Sequence, residues 1–279
     1  MAFRTIVTIL DVPQSAGIAS DIAFSLAAGN NSHVIGLHAE IVSPVPMVAP
    51  MEIPDPIAVQ ALQDMARSEA LTIEQLFHAK ATASGGSFEW RSFASSAGYD
   101  SQPIIETARS ADLIIAVQPD PAHPSDGHVD VESFLFESGR PVLMVPYILK
   151  APNPIRRVLI AWNGSKEAAR ATFDAMPFLE AADSVEILSI DPADNRNNAP
   201  VTGADISAAL VRRGIKATLT TTESADKSAS QIIEKRLADD SIDLLVMGAY
   251  TQSRLWEMLF GGTTKTMLKS MTALTLLSR

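Results

Sequence analysis

Val158-Leu159-Ile160-Ala161-Trp162 is an unbroken apolar run that stops at Asn163-Gly164-Ser165. Such a run suits a strand buried on both faces, as in a parallel sheet. A helix is expected from Lys166 to about Leu179, with Ala168, Ala171, Ala175 and Phe178 on one face. Val185-Glu186-Ile187-Leu188-Ser189-Ile190 then reads as the next strand. A strand–helix–strand order implies a right-handed crossover and a parallel sheet.

The same order stands at the start of the chain. Thr5-Ile6-Val7-Thr8-Ile9-Leu10 ends at Asp11-Val12-Pro13. An Ala-rich segment over residues 15–28 carries Ile18, Ile22 and Leu26 on one helix face, and Val34-Ile35-Gly36-Leu37 follows as a strand. Asp11 and Asn163 hold equivalent places after the first strand of each half, and Ala19 with Ala171 and Ala23 with Ala175 repeat at one offset. A second echo matches Ser110-Ala111-Asp112-Leu113-Ile114-Ile115 with Ser241-Ile242-Asp243-Leu244-Leu245-Val246. Each copy reads as a helix end followed by a buried strand, and Asp243 as a helix-to-strand boundary residue. Each half closes on a short apolar strand, Pro141-Val142-Leu143-Met144-Val145 or Ala273-Leu274-Thr275-Leu276-Leu277. Two αβ domains are therefore expected, over residues 1–147 and 155–279, with the proline-bearing residues 148–154 as linker.

Between these landmarks the halves differ. The first has a Pro- and Met-rich stretch over residues 44–56, then a long helix over residues 57–80. Leu62, Met65, Ala66, Glu69, Ile73 and Phe77 form its mostly apolar stripe, and residues 87–93 read as a short strand. The second has a helix over residues 204–213, a Thr-rich strand over 216–222 and a helix over 228–238. Ser228 with Gln231 has the spacing of a capping box.

Composition bounds the function. The chain has 279 residues, of which 32 are Asp or Glu and 22 Lys or Arg, for a formal charge of −10. So acidic a protein is a poor general binder of nucleic acid or of an anionic membrane. The absence of Cys excludes disulfides, thiol catalysis and Cys-ligated zinc. MAFRTIVTILDVPQ lacks the longer apolar core and cleavage site of a signal peptide, and no stretch is apolar enough for a membrane span, so a cytoplasmic protein is expected.

Open parallel sheets bind ligands beyond the carboxyl ends of their strands. In the second half, Asn163, Gly164 and Ser165 follow the first strand. Gly248-Ala249-Tyr250-Thr251-Gln252-Ser253-Arg254 follows the fourth and leads to Phe260-Gly261-Gly262-Thr263-Thr264-Lys265. Gly261 and Gly262 allow close backbone approach, and Thr263 and Thr264 can open a helix whose free amides attract phosphate. Arg254 or Lys265 adds a cationic donor. An ordinary glycine-bearing loop with an N-cap is the competing reading of the same residues.

On these residues the second half resembles a universal stress protein domain, and the whole chain resembles the tandem members of that family. The resemblance implies two αβα doubly wound domains, each with a mainly parallel five-stranded sheet. The family's ATP-binding motif is Gly-x2-Gly-x9-Gly-[Ser/Thr]. Gly248 fits its first glycine and Gly261 its third, whereas Thr251 stands at the second glycine and Gly262 at the Ser/Thr position, with Thr263 and Thr264 just beyond. The acidic residue that meets adenosine in the family aligns with Asn163, and its backbone contact to adenine falls near Ile190. What the resemblance implies is a stress-response regulatory protein that binds ATP or another adenine nucleotide, with Mg2+ as its companion ion. The nucleotide-binding set is Asn163, Gly164, Ser165, Ile190, Gly248, Thr251, Ser253, Arg254, Gly261, Gly262, Thr263 and Thr264. It also implies a regulatory protein partner, a homodimer, and pairing of the halves with Val142–Val145 near Leu274–Leu277.

The first half departs from that pattern. QPDPAHPSDGHVDVESFLFESG follows its fourth strand, and no glycine motif survives there. His123, Asp126, His128 and Asp130 are metal-capable side chains, for which a solvated polar loop is the favoured reading. His33, His38 and His78 read as surface or packing residues, and Trp90, Trp162 and Trp256 fit packing at least as well as ligand stacking. No Ser-His-Asp arrangement can be inferred, since the second half has no His, and no enzyme activity is assigned. The alternatives are an interaction protein whose sites have decayed, and a slow nucleotide hydrolase.

Overall fold

A computed structural model describes residues 2–41, 55–95, 102–122, 131–191, 203–249, 267 and 270–279. The chain divides into two compact units, one of Phe3–Ser138 with Lys150–Pro152, the other built on Gly139–Leu149 and Asn153–Arg279.

The first unit runs β1 (Thr5–Ile9), α1 (Pro13–Asn30), β2 (His33–Ile41), α2 (Pro56–Ser84), β3 (Ser87–Ser95), α3 (Gln102–Arg109), β4 (Leu113–Val117) and α4 (Val131–Glu137). Its strands lie in the order β3-β2-β1-β4, all parallel, with Ile6 beside both Val34 and Leu113. The continuous apolar runs are explained by burial, since Ile6, Val7, Leu113 and Ile114 are all inaccessible. Phe77 of α2 lies against Gly36 of β2, where a Cβ would come within 2.8 Å of the ring. Around Phe77 stand Phe24, Trp90 and Phe88, with ring centroids 5.4, 5.6 and 6.0 Å away. The stripe expected along α2 is buried only in its later turns, at Ala70, Ile73, Phe77 and Ala81, whereas Met65 is 68% exposed. Buried His38 accepts its place by packing, as expected, with Nδ1 2.6 Å from the Leu10 carbonyl oxygen and its ring stacked on Trp90.

The second unit contains β5 (Val142–Val145), β6 (Arg157–Trp162), α5 (Lys166–Asp174), α6 (Met176–Ala181), β7 (Ser184–Ile190), α7 (Ala204–Val211), β8 (Ala217–Thr222), α8 (Ala229–Asp239), β9 (Leu244–Gly248) and β10 (Leu274–Ser278). The order is β5-β10-β9-β6-β7-β8. All pairs are parallel except β5 with β10, where Met144 opposes Thr275 and Val142 opposes Leu277 in antiparallel register. The single helix expected over residues 166–179 is two helices. Its break falls at Ala175, because Pro177 enters the first turn of α6 without an N–H to continue the ladder. The capping box on α8 forms in both directions: Ser228 accepts from the Gln231 amide, and Gln231 accepts from the Ser228 amide.

The Asp echo has a physical cause. In the first unit the Asp112 carboxylate accepts from the Arg4 amide at 2.7 Å and the Thr5 amide at 3.0 Å. In the second, Asp243 accepts from the Arg156 amide at 2.9 Å and the Arg157 amide at 2.8 Å. The Asp backbone N–H groups return bonds to the Thr5 and Arg157 carbonyls. One carboxylate, just before the fourth strand of its half, thus fastens the start of the first. Charge-assisted hydrogen bonds contribute about 1.5–3 kcal/mol each when removed singly. We expect Asp243→Ala to lower unfolding stability by about 2–3 kcal/mol, read as a shift of the urea midpoint at constant m-value.

Candidate ligand-binding site

The carboxyl ends of β6, β7 and β9 form one edge of the second unit's parallel sheet. Beyond β6, Gly164 adopts φ +72°, which only glycine holds without strain. That turn brings Ser165 back to Asn163. The Asn163 Oδ1 accepts from the Ser165 amide at 3.1 Å and from the Ser165 hydroxyl at 2.7 Å. Ser165 Oγ accepts in turn from the Ala168 amide at 3.1 Å and is the N-cap of α5. The sequence Asn-Gly-Ser therefore builds its own geometry. Asn163 orients Ser165, Ser165 starts α5, and Asn163 and Gly164 stay exposed at the sheet edge.

Gly248 ends β9 against the first turn of α5. A Cβ there would lie 2.5 Å from the Ala168 nitrogen and 2.6 Å from the Glu167 carbonyl carbon. Backbone atoms cannot yield that distance cheaply, so the glycine sets how closely β9 approaches the turn carrying Asn163. Ile190 ends β7, half-buried, and pairs with Thr222 of β8. Asp191, next in the chain, has φ +48°, and its carboxylate accepts from the Ser224 amide at 2.8 Å. Hydrogen bonds from the Ser224 hydroxyl and amide hold that carboxyl below the usual aspartate value. Asp191 thereby ties the end of β7 to the segment after β8.

The structure brings Asn163, Gly164, Ser165 and Gly248 together around the start of α5 and places Ile190 at the end of the adjoining strand. Thr251, Ser253, Arg254, Gly261, Gly262, Thr263 and Thr264 lie outside the described residues, as do Trp256 and the cluster His123, Asp126, His128 and Asp130. Among the described residues, no three His, Cys, Asp or Glu side chains are grouped to hold a metal ion.

Two further residues belong to this edge. Trp162, the last residue of β6, has a buried indole Nε1 that finds no hydrogen-bond partner among the described residues. Gly203, at φ +72°, precedes α7 with no side-chain cap. A Cβ on it would fall 3.2 Å from Trp162 Cδ1 and 3.0 Å from Leu219 Cδ1. Periodicity does not separate Trp162 from a core residue, and the one sequence signal at Gly203 is a glycine next to a helix start. At the corresponding edge of the first unit, Val12 and Pro13 replace the Gly-Ser turn. Pro13 opens α1 with no side-chain cap.

Gly248→Ala is expected to destabilise the fold by about 2–3 kcal/mol through backbone overlap, measurable by chemical denaturation without any ligand present. Asp191→Asn keeps a residue that tolerates positive φ but removes the charge. A depressed carboxyl pKa adds stability above the unfolded value near 3.8 and loses it as pH falls through the folded value. The melting temperature of Asp191→Asn is therefore expected below wild type at pH 7, with the two curves converging below pH 3.8.

No family model matches the sequence, and no curated protein matches it. Solved structures do. A universal stress protein from Archaeoglobus fulgidus DSM 4304 superposes with TM-score 0.70 at 14% identity, covering 99% of this chain and 96% of that one. A candidate universal stress protein from Pseudomonas aeruginosa UCBPP-PA14 gives TM-score 0.60 at 18% identity, with coverage of 99% and 93%. A functionally unknown protein from Pseudomonas aeruginosa PAO1 gives 0.59 at 19% identity, with coverage of 99% and 92%. Over essentially its whole length, the chain therefore has the fold of the universal stress proteins, in the long form that spans both halves.

Proposed function

We propose that this chain is a tandem universal stress protein, a stress-response regulator acting in the cytoplasm. It binds ATP or a related adenine nucleotide at the carboxyl ends of β6, β7 and β9. The observation that carries the reading is the approach of Gly248 to the α5 start. The first glycine of the ligand motif stands beside the Asn163 turn, at the sheet edge where parallel αβ proteins bind ligands. The buried Trp162 Nε1, which has no partner among the described residues, fits a ligand that carries a hydrogen-bond acceptor.

In this reading Asn163 faces the adenosine moiety and the backbone at Ile190 meets the base. Gly261, Gly262, Thr263 and Thr264 hold the phosphates, with Ser253 and Arg254 as flanking donors, and Thr251 replaces a glycine in the same loop. Mg2+ enters with the nucleotide, on phosphate oxygens and water. Nucleotide occupancy changes a surface read by a regulatory protein, and the active form is a homodimer.

One observation favours a second reading, an interaction protein with no nucleotide role. The Asn163 and Ser165 side chains already serve the turn and the helix cap, which accounts for both residues without a ligand.

Native mass spectrometry of freshly purified protein, followed by calorimetric titration with ATP, ADP and AMP, separates the two. Nucleotide binding near one per chain supports the first reading, and Gly261→Val is then expected to weaken it at least about ten-fold with the melting temperature unchanged. No co-purified nucleotide and no heat at millimolar concentration support the second. Equal affinity in Gly261→Val removes the assigned loop from the site.

A further inference from the structure

β8 borders the second unit's sheet. Among the described residues its one strand partner is β7. None of its residues, Ala217 to Thr222, is buried, and Thr218 and Thr221 are exposed. The register settles which backbone groups face outwards. The Val185 amide donates to the Lys216 carbonyl at 3.1 Å, and the Asp191 amide to the Thr222 carbonyl at 3.0 Å. In a parallel ladder alternate residues bond to one neighbour. Lys216, Thr218, Thr220 and Thr222 thus serve β7, while Ala217, Leu219 and Thr221 turn their peptide groups away from it. The Ala217 amide is taken up by the Ile215 carbonyl at 2.9 Å. What remains is a row of carbonyls at Ala217, Leu219 and Thr221, with N–H donors at Leu219 and Thr221.

Such a row is a template for another strand, and proteins that avoid pairing blunt it with charge, proline or a bulge. β8 has no charged residue and no proline. β3, whose strand partner is β2, is treated differently, with an Arg91–Glu89 ion pair of 2.7 Å along its length.

We infer that β8 is the interface of the homodimer proposed above, two copies pairing β8 with β8 in antiparallel register about Leu219. This inference rests on that reading. A two-fold axis at Leu219 sets its N–H and C=O against the same groups of the second copy, and sets each Thr221 N–H against the Ala217 carbonyl opposite. Every outward donor then meets an acceptor, as an isologous contact requires. Charge selects a second copy over an unrelated strand. Lys216 precedes the strand and Glu223 follows it, both exposed. Antiparallel self-pairing brings the Lys216 end of each copy to the Glu223 end of the other. For a chain of charge −10, long-range repulsion between copies favours contact through an uncharged strand with ends of opposite sign.

Sedimentation equilibrium of the full chain over micromolar concentrations tests this. Wild type is expected at twice the 29.8 kDa chain mass. Thr221→Pro removes an outward N–H and no β7 bond, and is expected to weaken association at least about ten-fold with the melting temperature little changed. Lys216→Glu and Glu223→Lys are each expected to weaken it, and the double reversal to restore it. The reversals carry the test if the proline variant does not fold. A wild-type chain monomeric throughout overturns the homodimer and the interface together. A dimer equally tight in Thr221→Pro and in both single reversals overturns the interface alone.

Discussion

The carboxylate of Asp243, accepting from two consecutive amides at the start of β6, holds the register on which the second unit's sheet edge depends. It fixes β9 beside β6 with Leu244 opposite Val158 and Met247 opposite Ala161. A one-residue slip reverses the facing of every side chain in a strand. Here it would also carry Gly248 away from the first turn of α5, the one place where the strand must lack a Cβ. The clamp sits at the amino ends of the strands and the candidate site at their carboxyl ends, so the sheet itself transmits the alignment.

Asp112 makes the equivalent clamp in the first unit, yet the opposite sheet edge there is built differently. Asn163-Gly164-Ser165 is a closed turn that caps a helix. Asp11-Val12-Pro13 is a stiff entry in which proline supplies the first helical residue. The two halves therefore share a scaffold and diverge at the segment where a ligand would meet it. Repetition at the framework with variation at the loops is how one fold supports separate roles.

Much of the framework was legible in the residues. The continuous apolar runs report burial directly, and the Ser228–Gln231 box has a local cause that shows in local sequence. The repeated Asp shows as an echo, but its cause, bonds to amides 86 and 87 residues away for Asp243, does not. Part of what escaped was decided by contacts across the sheet, and part by local turns that a pattern of apolar residues does not report. Gly248 looks like a ligand-motif glycine, and its backbone contact with Glu167 and Ala168 follows from packing alone. Trp162 reads as a core side chain because periodicity reports burial of the ring and says nothing of its nitrogen. Asn163 aligns with an acidic residue, and that alignment is silent on its bonds to Ser165, which come from a turn that Gly164 makes possible. The break at Ala175 was readable from Pro177, but the alanine pattern on either side kept one helical phase and concealed it.

Gly36 and Phe77 form a lock of complementary volumes between β2 and α2, the ring occupying the space that a methyl group would fill. Neither position is free to drift alone. A larger residue at 36 has to be matched by a smaller one at 77, so in related sequences the two are expected to exchange bulk as a pair. That makes a backbone position in a strand and an aromatic residue on a helix a single heritable unit.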